Sequence, residues 1–281
     1  KEGAVNPSPW NGKAIAEPGI YSGVPIGVYH GASLCDAPSI SSSGLRTIEG
    51  QSPAHYWCHS PYNPEREEDD GEADALVFGR AAHMLLLGEK GFRETFAVRP
   101  DEFTAWNTKA AKAWRTEQQE SGLSVLVPSN LDAIRGMAKS MARDPIISNG
   151  LLAGDIEATL VWRDAETGVW LKARPDSLPR DRVIVDLKTC ASADALACRR
   201  AIGDRGYHMQ LALTGMGIEA LTGEAPGNDD YVLVFVEKTA PYAINIKPLD
   251  PEAVHFGRLQ LRRAITTFAR CMESGDWPAY A

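Results

Sequence analysis

The sequence has few cysteines, no long hydrophobic run and no excess of positive charge. Its 281 residues include five cysteines, scattered and odd in number, which argues against a disulfide framework and for a reducing compartment. No apolar run reaches the roughly 18 residues that a membrane span requires, and no signal-peptide pattern is visible. These absences weigh against secreted and membrane-embedded proteins, so we expect no membrane partner and a cytoplasmic location.

The charge balance is acidic, with a formal net charge of −8. A uniformly acidic surface would repel phosphates, so the net charge does not by itself indicate binding to nucleic acid. The charge is uneven, however. Acidic residues concentrate in the segment 65–74, whereas Lys109, Lys112 and Arg115 form a basic stripe on a predicted helix. Local positive charge along a groove or channel is therefore compatible with the composition.

Hydrophobic periodicity and turn residues divide the chain into three parts. Residues 1–38 are rich in proline and glycine and indicate an extended N-terminal arm. Residues 39–150 are predicted to be mainly helical. Residues 151–281 follow the order β-β-β-α-α-β-β-α, which is typical of an α/β or α+β domain with a central mixed β-sheet flanked by helices. We therefore predict a single domain over 39–281 behind the arm.

The segment ARPDSLPRDRVIVDLKT holds the strongest chemical signal. Its β-branched run 183–185 predicts a buried strand, and side chains two apart on a strand point to the same side. Asp186 and Lys188 therefore share one face, and Asp176 precedes Asp186 with nine residues between them. Because unpaired charges are costly to bury, the group is either a structural ion pair, with Lys188 or Arg174 as the cation, or a functional site.

A divalent cation held by the two carboxylates explains this group most simply. Mg²⁺, for which Mn²⁺ can substitute, takes oxygen ligands and usually keeps several waters. A metal-bound water next to Lys188 would be a nucleophile suited to a phosphodiester. We therefore interpret Asp176, Asp186 and Lys188 as catalytic residues.

Four more residues are candidates for this site. His83 lies in the predicted helix FGRAAHMLLL, where a lone histidine is usually a core residue but can be a metal ligand. Tyr207 and Gln210 are three apart and share one helix face. Either Tyr207 packs in the core and Gln210 faces the solvent, or the two side chains position the scissile phosphate or Lys188. Glu157 opens the strand IEATLVW and is either a solvent-facing strand residue or an extra carboxylate near the metal.

The serine run 41–43 precedes a short predicted helix and is typical of an N-cap. Helix N-termini bind anions, and arginine can grip phosphate with two donors. Ser41, Ser43 and Arg46 are therefore either an ordinary capped helix with a surface arginine or a site for the 5′-phosphate of a DNA end.

The segments PD at 175–176 and DLK at 186–188 together resemble the signature of the PD-(D/E)XK nuclease superfamily. His83 upstream, the D-x-K-T motif, and Y-x-x-Q at Tyr207 and Gln210 are similar to its RecB-like branch. The stretches YHGASLCDAPSISSSGLRTIEGQSPAHYW and FGRAAHMLLLGE resemble nuclease domains of the exonuclease VIII (RecE) type. The likeness runs from about residue 29 to the C-terminus.

What the resemblance implies is a Mg²⁺-dependent exodeoxyribonuclease with a PD-(D/E)XK core. Such an enzyme degrades one strand of linear double-stranded DNA, 5′ to 3′, and leaves 3′ single-stranded tails for homologous recombination. The metal ligands would be His83, Asp176, Asp186 and the backbone carbonyl of Leu187, and Lys188 would orient or deprotonate the attacking water. One departure is visible, because Thr214 stands where related nucleases often carry a second tyrosine.

The resemblance also implies partners and a location. Double-stranded DNA ends are the expected substrate, a homo-oligomeric ring the expected assembly, and a single-strand annealing recombination protein the expected partner, in a bacterial or phage-derived system. Two other functions stay open. One is a structure-specific or restriction-type endonuclease on the same core, and the other is a DNA-binding module without catalytic activity.

Overall fold

The computed structural model of the protein describes residues 7–66, 73–156, 158–179 and 183–280. Within this part of the chain, no helix is both long and apolar enough to cross a membrane. A single π-helical turn spans Ile147–Leu151. The strands are β1 (Ser8–Pro9), β2 (Gly19–Ser22), β3 (Ser39–Ser41), β4 (Phe96–Val98), β5 (Ser124–Leu126), β6 (Gly154–Ile156), β7 (Thr159–Arg163), β8 (Trp170–Ala173), β9 (Ser177–Pro179), β10 (Ile184–Cys190), β11 (Tyr231–Glu237) and β12 (Ile244–Pro248). The α-helices are α1 (Ile26–His30), α2 (Ser42–Gly50), α3 (Pro53–His59), α4 (Asp74–Leu87), α5 (Phe92–Thr95), α6 (Lys109–Glu120), α7 (Pro128–Arg143), α8 (Ala195–Asp204), α9 (Tyr207–Thr222) and α10 (Pro251–Ser274).

Most strands belong to two mixed five-stranded sheets. The first sheet has the order β1-β2-β7-β8-β3, with parallel pairs at both edges and antiparallel pairs in the middle. The second has the order β12-β11-β10-β9-β6, in which β10 and β11 are parallel and the other neighbours antiparallel. The predicted α/β class, with mixed sheet flanked by helices, is therefore confirmed, although the strands divide between two sheets instead of forming one.

Helix α9 packs against β7 and β8 of the first sheet and against β10 of the second. Two glycines allow this close approach. A Cβ atom at Gly215 would lie 2.3 Å from Tyr231 Oη of the second sheet, and one at Gly217 would lie 2.7 Å from Trp162 Cζ3 of the first. A helix that is covered on so many sides has little freedom to shift, so α9 is a rigid support for the side chains at its N-terminal end.

Strand β10 separates two hydrophobic cores. Val185 and Leu187 point into the core that includes residues of α4 and α7. Ile184 points into the core that includes α9 and α10. Because side chains alternate along a strand, Asp186 and Lys188 lie on the same face as Ile184, toward α9. The predicted placement of these two charged residues on one face is borne out by this pattern.

Residues 7–38 differ from the predicted extended arm, because they contribute β1 and β2 to the first sheet and cover one of its faces. That face presents Val161 and Trp170, both with 0% of their surface exposed. The residues that cover them include Ile15, Val24 and Leu34. Burying a large apolar side chain contributes about 1.5–3 kcal/mol, so the sheet holds this segment in place even though the segment has little regular structure. The boundaries at residues 39 and 151 stay predictions.

Candidate active site

The centre of the candidate site is a network of three side chains from β10 and α9. Gln210 Nε2 donates to Asp186 Oδ1 at 2.6 Å, and Gln210 Oε1 accepts from Lys188 Nζ at 3.0 Å. Lys188 Nζ also lies 2.5 Å from Asp186 Oδ2. The amide orientation of Gln210 is fixed by this arrangement, because a flipped amide would place its donor against the ammonium group. Gln210 therefore holds the carboxylate and the ammonium in one fixed geometry.

Tyr207, one turn before Gln210 on α9, completes this side of the site. Its ring centroid lies 4.4 Å from Lys188 Nζ, which is within the range of a cation–π contact. The ring also packs near Phe235 of β11, with 6.3 Å between ring centroids. Tyr207 thus adds a third contact to Lys188, beside those with Asp186 and Gln210.

Asp176 approaches the network from the segment that leads into β9. Its Oδ2 atom accepts a hydrogen bond from the Leu187 backbone N–H at 2.7 Å, which places the carboxylate directly beside Asp186 on β10. His83 of α4 contacts the other carboxylate oxygen, with 3.3 Å between His83 Nδ1 and Asp176 Oδ1. The structure therefore brings together residues that are up to 127 positions apart, from His83 to Gln210.

The two buried carboxylates have opposite pKa shifts. Burial raises the pKa of Asp186, and the neighbouring charge of Asp176 raises it further, against the opposing effect of Lys188. Burial also acts to raise the pKa of Asp176, but the charge and hydrogen bond of His83, the charge of Lys188 and the Leu187 N–H outweigh it and lower this pKa. Two carboxylates in one site with separated pKa values are typical of functional centres.

The donor chemistry of this site fits a hard divalent cation. Asp176 and Asp186 are 8% and 3% exposed, and two buried carboxylates repel each other unless a cation lies between them. Asp186 Oδ2 is paired in this structure with Lys188 Nζ at 2.5 Å, and among the described residues it has no hydrogen-bond partner of acceptable geometry, so a cation would share this oxygen with the ammonium group. Mg²⁺ is commonly held by one or two carboxylates plus waters, so this pair is sufficient for it.

The wider predicted ligand set stays a prediction. Within the described ranges, no three His, Cys, Asp or Glu side chains are grouped closely enough to hold a metal ion. His83 is turned toward Asp176, and Glu157, the predicted extra carboxylate, lies outside the described residues. The backbone N–H of Leu187 donates a hydrogen bond to Asp176. The role of the Leu187 carbonyl as a metal ligand stays a prediction.

A cleft of about 880 Å³ opens beside Lys188 and Tyr207. Its walls carry positive charge from several elements, although the whole chain has a net charge of −8. The cations are therefore concentrated locally, as the uneven sequence distribution allowed. The stripe of Lys109, Lys112 and Arg115 is absent from this described lining. Besides Lys188, the basic residues of the lining are Arg80, Lys90, Arg174, Arg205 and Lys238. The lining also contains the acidic residue Glu89.

A smaller cavity of about 200 Å³ adjoins Gln210 and contains Ser41 and Ser43. Their hydroxyl oxygens are 3.0 Å apart, and the Ser41 side chain makes no capping hydrogen bond to α2. Arg174 lines this cavity as well as the large cleft. From the sequence, Arg174 was expected only as a possible ion-pair partner, although its place two residues before Asp176 was a usable signal.

Arg46 does not line the small cavity, which differs from its predicted place in a phosphate site with Ser41 and Ser43. Its guanidinium group donates instead to two backbone carbonyls, those of Ser42 and Arg205. The reason is its position on α2, one turn after the serines, from which the side chain extends toward the turn between α8 and α9.

We expect replacement of His83 by alanine to weaken Mn²⁺ binding by about 10–100-fold, because the ring holds Asp176 in place. Burial acts to lower the pKa of His83, but the charge and hydrogen bond of Asp176 outweigh it and raise this pKa. Calorimetric titration with Mn²⁺ measures the effect, with the exposed His255→Ala as the matched control. A lower melting temperature with an unchanged Mn²⁺ constant would instead make His83 a core residue.

Comparisons with known proteins support the fold class and the superfamily. A family described as "PDDEXK-like domain of unknown function (DUF3799)" matches residues 41–281. Among solved structures, the crystal structure of a protein from Eubacterium rectale described as a "Putative exonuclease" superposes with a TM-score of 0.60. The two sequences are 15% identical, and the match covers 86% of this chain and 84% of that one, so the likeness shows a shared fold. No curated protein matches the sequence.

Proposed function

The chain belongs to the PDDEXK-like family DUF3799, and on that premise we propose that it is a metal-dependent nuclease that acts on DNA ends. Family membership confirms the resemblance to PD-(D/E)XK proteins stated from the motifs. The observation that carries the proposal is the buried network of Asp176, Asp186, Lys188 and Gln210 at the edge of a cleft with basic walls. Fixed carboxylates that can hold a metal ion, beside an ammonium group and a cationic groove, suit metal-assisted hydrolysis of a phosphodiester.

Each residue of the network has a distinct role in this proposal. Asp176 and Asp186 would hold Mg²⁺, which when bound supplies Lewis acidity toward the phosphate and lowers the pKa of a water. Lys188 faces the cleft with 14% of its side chain exposed. As an ammonium group it would orient the attacking water, and only as a neutral amine would it remove the proton of that water. Gln210 holds the side chains of Lys188 and Asp186 in a fixed relative position, and the Tyr207 ring stabilises the ammonium charge of Lys188.

The small cavity supports action at DNA ends. Ser41 and Ser43 lie at the N-terminus of α2, where backbone N–H groups and the helix dipole favour an anion. Arg174 contributes charge to the same cavity, and Gln210 joins it to the network. A volume of about 200 Å³ suits a terminal phosphate better than a continuing strand. We therefore propose that a 5′-phosphate binds here, which corresponds to digestion from 5′ to 3′.

Other parts of the proposal rest on the resemblance. They are the production of 3′ single-stranded tails for recombination, the assembly into a homo-oligomeric ring around DNA, and the partnership with a single-strand annealing protein.

A structure-specific or restriction-type endonuclease is the second candidate, because the same network and cleft could cut internal phosphates. A DNA-binding module without catalysis is disfavoured by the complete set of Asp176, Asp186 and Lys188.

Digestion of end-labelled DNA tests the proposal. With Mg²⁺, we expect a linear duplex labelled at one 5′ end to lose its label early, and the same duplex labelled at a 3′ end to lose it late. Covalently closed circular DNA should stay intact, because it offers no terminus. Cleavage of the circle would favour the endonuclease. Binding of linear duplex without cleavage under any divalent cation would favour the inactive module.

A further inference from the structure

The turn between α8 and α9 determines where the site residues of α9 lie. Only Arg205 and Gly206 connect the two helices, and Gly206 has a positive φ of 62°. The next residue is Tyr207, and the Gln210 backbone N–H donates to the Gly206 carbonyl at 3.1 Å. A shift of this turn would therefore move both Tyr207 and Gln210 relative to β10.

Arg46 of α2 contacts this turn with its guanidinium group. Its Nη1 atom donates to the Arg205 carbonyl at 2.6 Å, and its Nε atom donates to the Ser42 carbonyl at 3.2 Å. The side chain is also packed closely, because a Cβ atom at Gly206 would lie 2.7 Å from Arg46 Cδ. The sequence separation between Arg46 and Arg205 is 159 residues, so this contact joins the N-terminal helical region directly to the start of α9.

The surroundings of Arg46 place it near the catalytic network. Burial lowers the pKa of Arg46, and the nearby Asp186 and Tyr207 act against this shift. Hydrogen bonds from a charged donor are stronger than those between neutral groups. The turn has only two residues, so loss of the guanidinium group should loosen it.

We propose that Arg46 is a positioning residue, which fixes the first turn of α9 so that Gln210 can bridge Asp186 and Lys188. It acts through the Arg205 carbonyl and does not contact the substrate. This inference rests on the proposed nuclease function, since its kinetic consequence appears in hydrolysis. Arg46 therefore has a different role from Ser41 and Ser43, which line the small cavity. It holds the catalytic residues in place and does not recognise the DNA end.

Steady-state kinetics on linear duplexes with either a 5′-phosphate or a 5′-hydroxyl test the assignment. For Arg46→Ala we expect kcat to fall by about 10–100-fold, by the same factor on both substrates, with little change in KM. Arg46→Lys should restore activity only in part, because one ammonium group cannot reach both carbonyls. Added guanidinium ion should raise the kcat of Arg46→Ala. The matched control is Arg263→Ala, which removes another arginine that contacts α2, through an ion pair with Glu49, and that does not contact the turn in any described hydrogen bond.

A glycine substitution gives an independent check. Gly206→Ala should also lower kcat, because the new Cβ would collide with Arg46 Cδ and the positive φ disfavours alanine. In the double variant with Arg46→Ala the losses should be clearly less than multiplicative, since both changes disturb one contact. Multiplicative losses would mean that the two residues act separately, and would overturn the proposal.

Hydrogen–deuterium exchange makes the test independent of nuclease activity. Amides of residues 207–212 should exchange faster in Arg46→Ala than in the wild type or Arg263→Ala. If exchange increases while the wild-type protein cleaves no DNA, the positioning role is supported and the proposed function fails. Unchanged exchange together with unchanged kcat would overturn the positioning role. A loss confined to KM on 5′-phosphorylated ends would overturn it as well, and would assign Arg46 to phosphate binding.

Discussion

Replacement of Lys188 by alanine is expected to lower kcat by about 10²–10⁴-fold, the range that proton transfer by a positioned side chain contributes. Lys188 Nζ is held by Asp186 and Gln210, at 2.5 and 3.0 Å, and its side chain still reaches the cleft. It is therefore fixed in place but accessible to a water molecule. Single-turnover hydrolysis of a linear duplex measures the change, since it isolates chemistry from product release.

Metal binding should respond differently to this change. The Mn²⁺ constant of Lys188→Ala should not weaken, because the variant removes a positive charge from beside the two carboxylates. Lys139→Ala, on the exposed face of α7, is a matched control in both measurements. Near-normal turnover of Lys188→Ala would show that water activation in this protein does not depend on Lys188.

Removal of divalent cations should abolish hydrolysis altogether. With EDTA present we expect no cleavage of linear duplex DNA, and excess Mg²⁺ should restore it, because the buried carboxylates of Asp176 and Asp186 cannot by themselves activate a water. Mn²⁺ should substitute for Mg²⁺. Ca²⁺ should support DNA binding with little turnover, because its coordination is larger and more variable. Full activity in the chelator would rule out the proposed mechanism.

Thermal unfolding tests metal binding independently of DNA cleavage. A ligand that binds only the folded state stabilises it by about 2.7 kcal/mol at 100 times its Kd, so Mg²⁺ or Mn²⁺ should raise the melting temperature of the wild type. Asp186→Ala should lose this increase together with activity. A variant that kept the increase would move the metal away from Asp186 and leave the raised pKa of this residue as a property of its burial beside Asp176.

Sequence reasoning was most successful where the signal is local. The β-branched run 183–185 before Asp186 predicted a buried strand, and β10 is present there. Strand alternation then placed Asp186 and Lys188 on one face without knowledge of the rest of the fold. The helical spacing of Tyr207 and Gln210 likewise predicted a shared direction, and both side chains contact Lys188.

The family, the motif residues and the longer elements of the catalytic half are readable from the sequence, because periods of two and 3.6 residues and motif spacing are properties of the chain alone. The three-residue strands β6 and β9 are too short to show such a period and were not predicted. The tertiary structure brings distant groups together. It folded residues 7–38 onto Val161 and Trp170, directed Arg46 to the Arg205 carbonyl, and placed Arg174 in both cavities. These contacts depend on packing and on hydrogen bonds between segments more than a hundred residues apart, for which no local pattern exists.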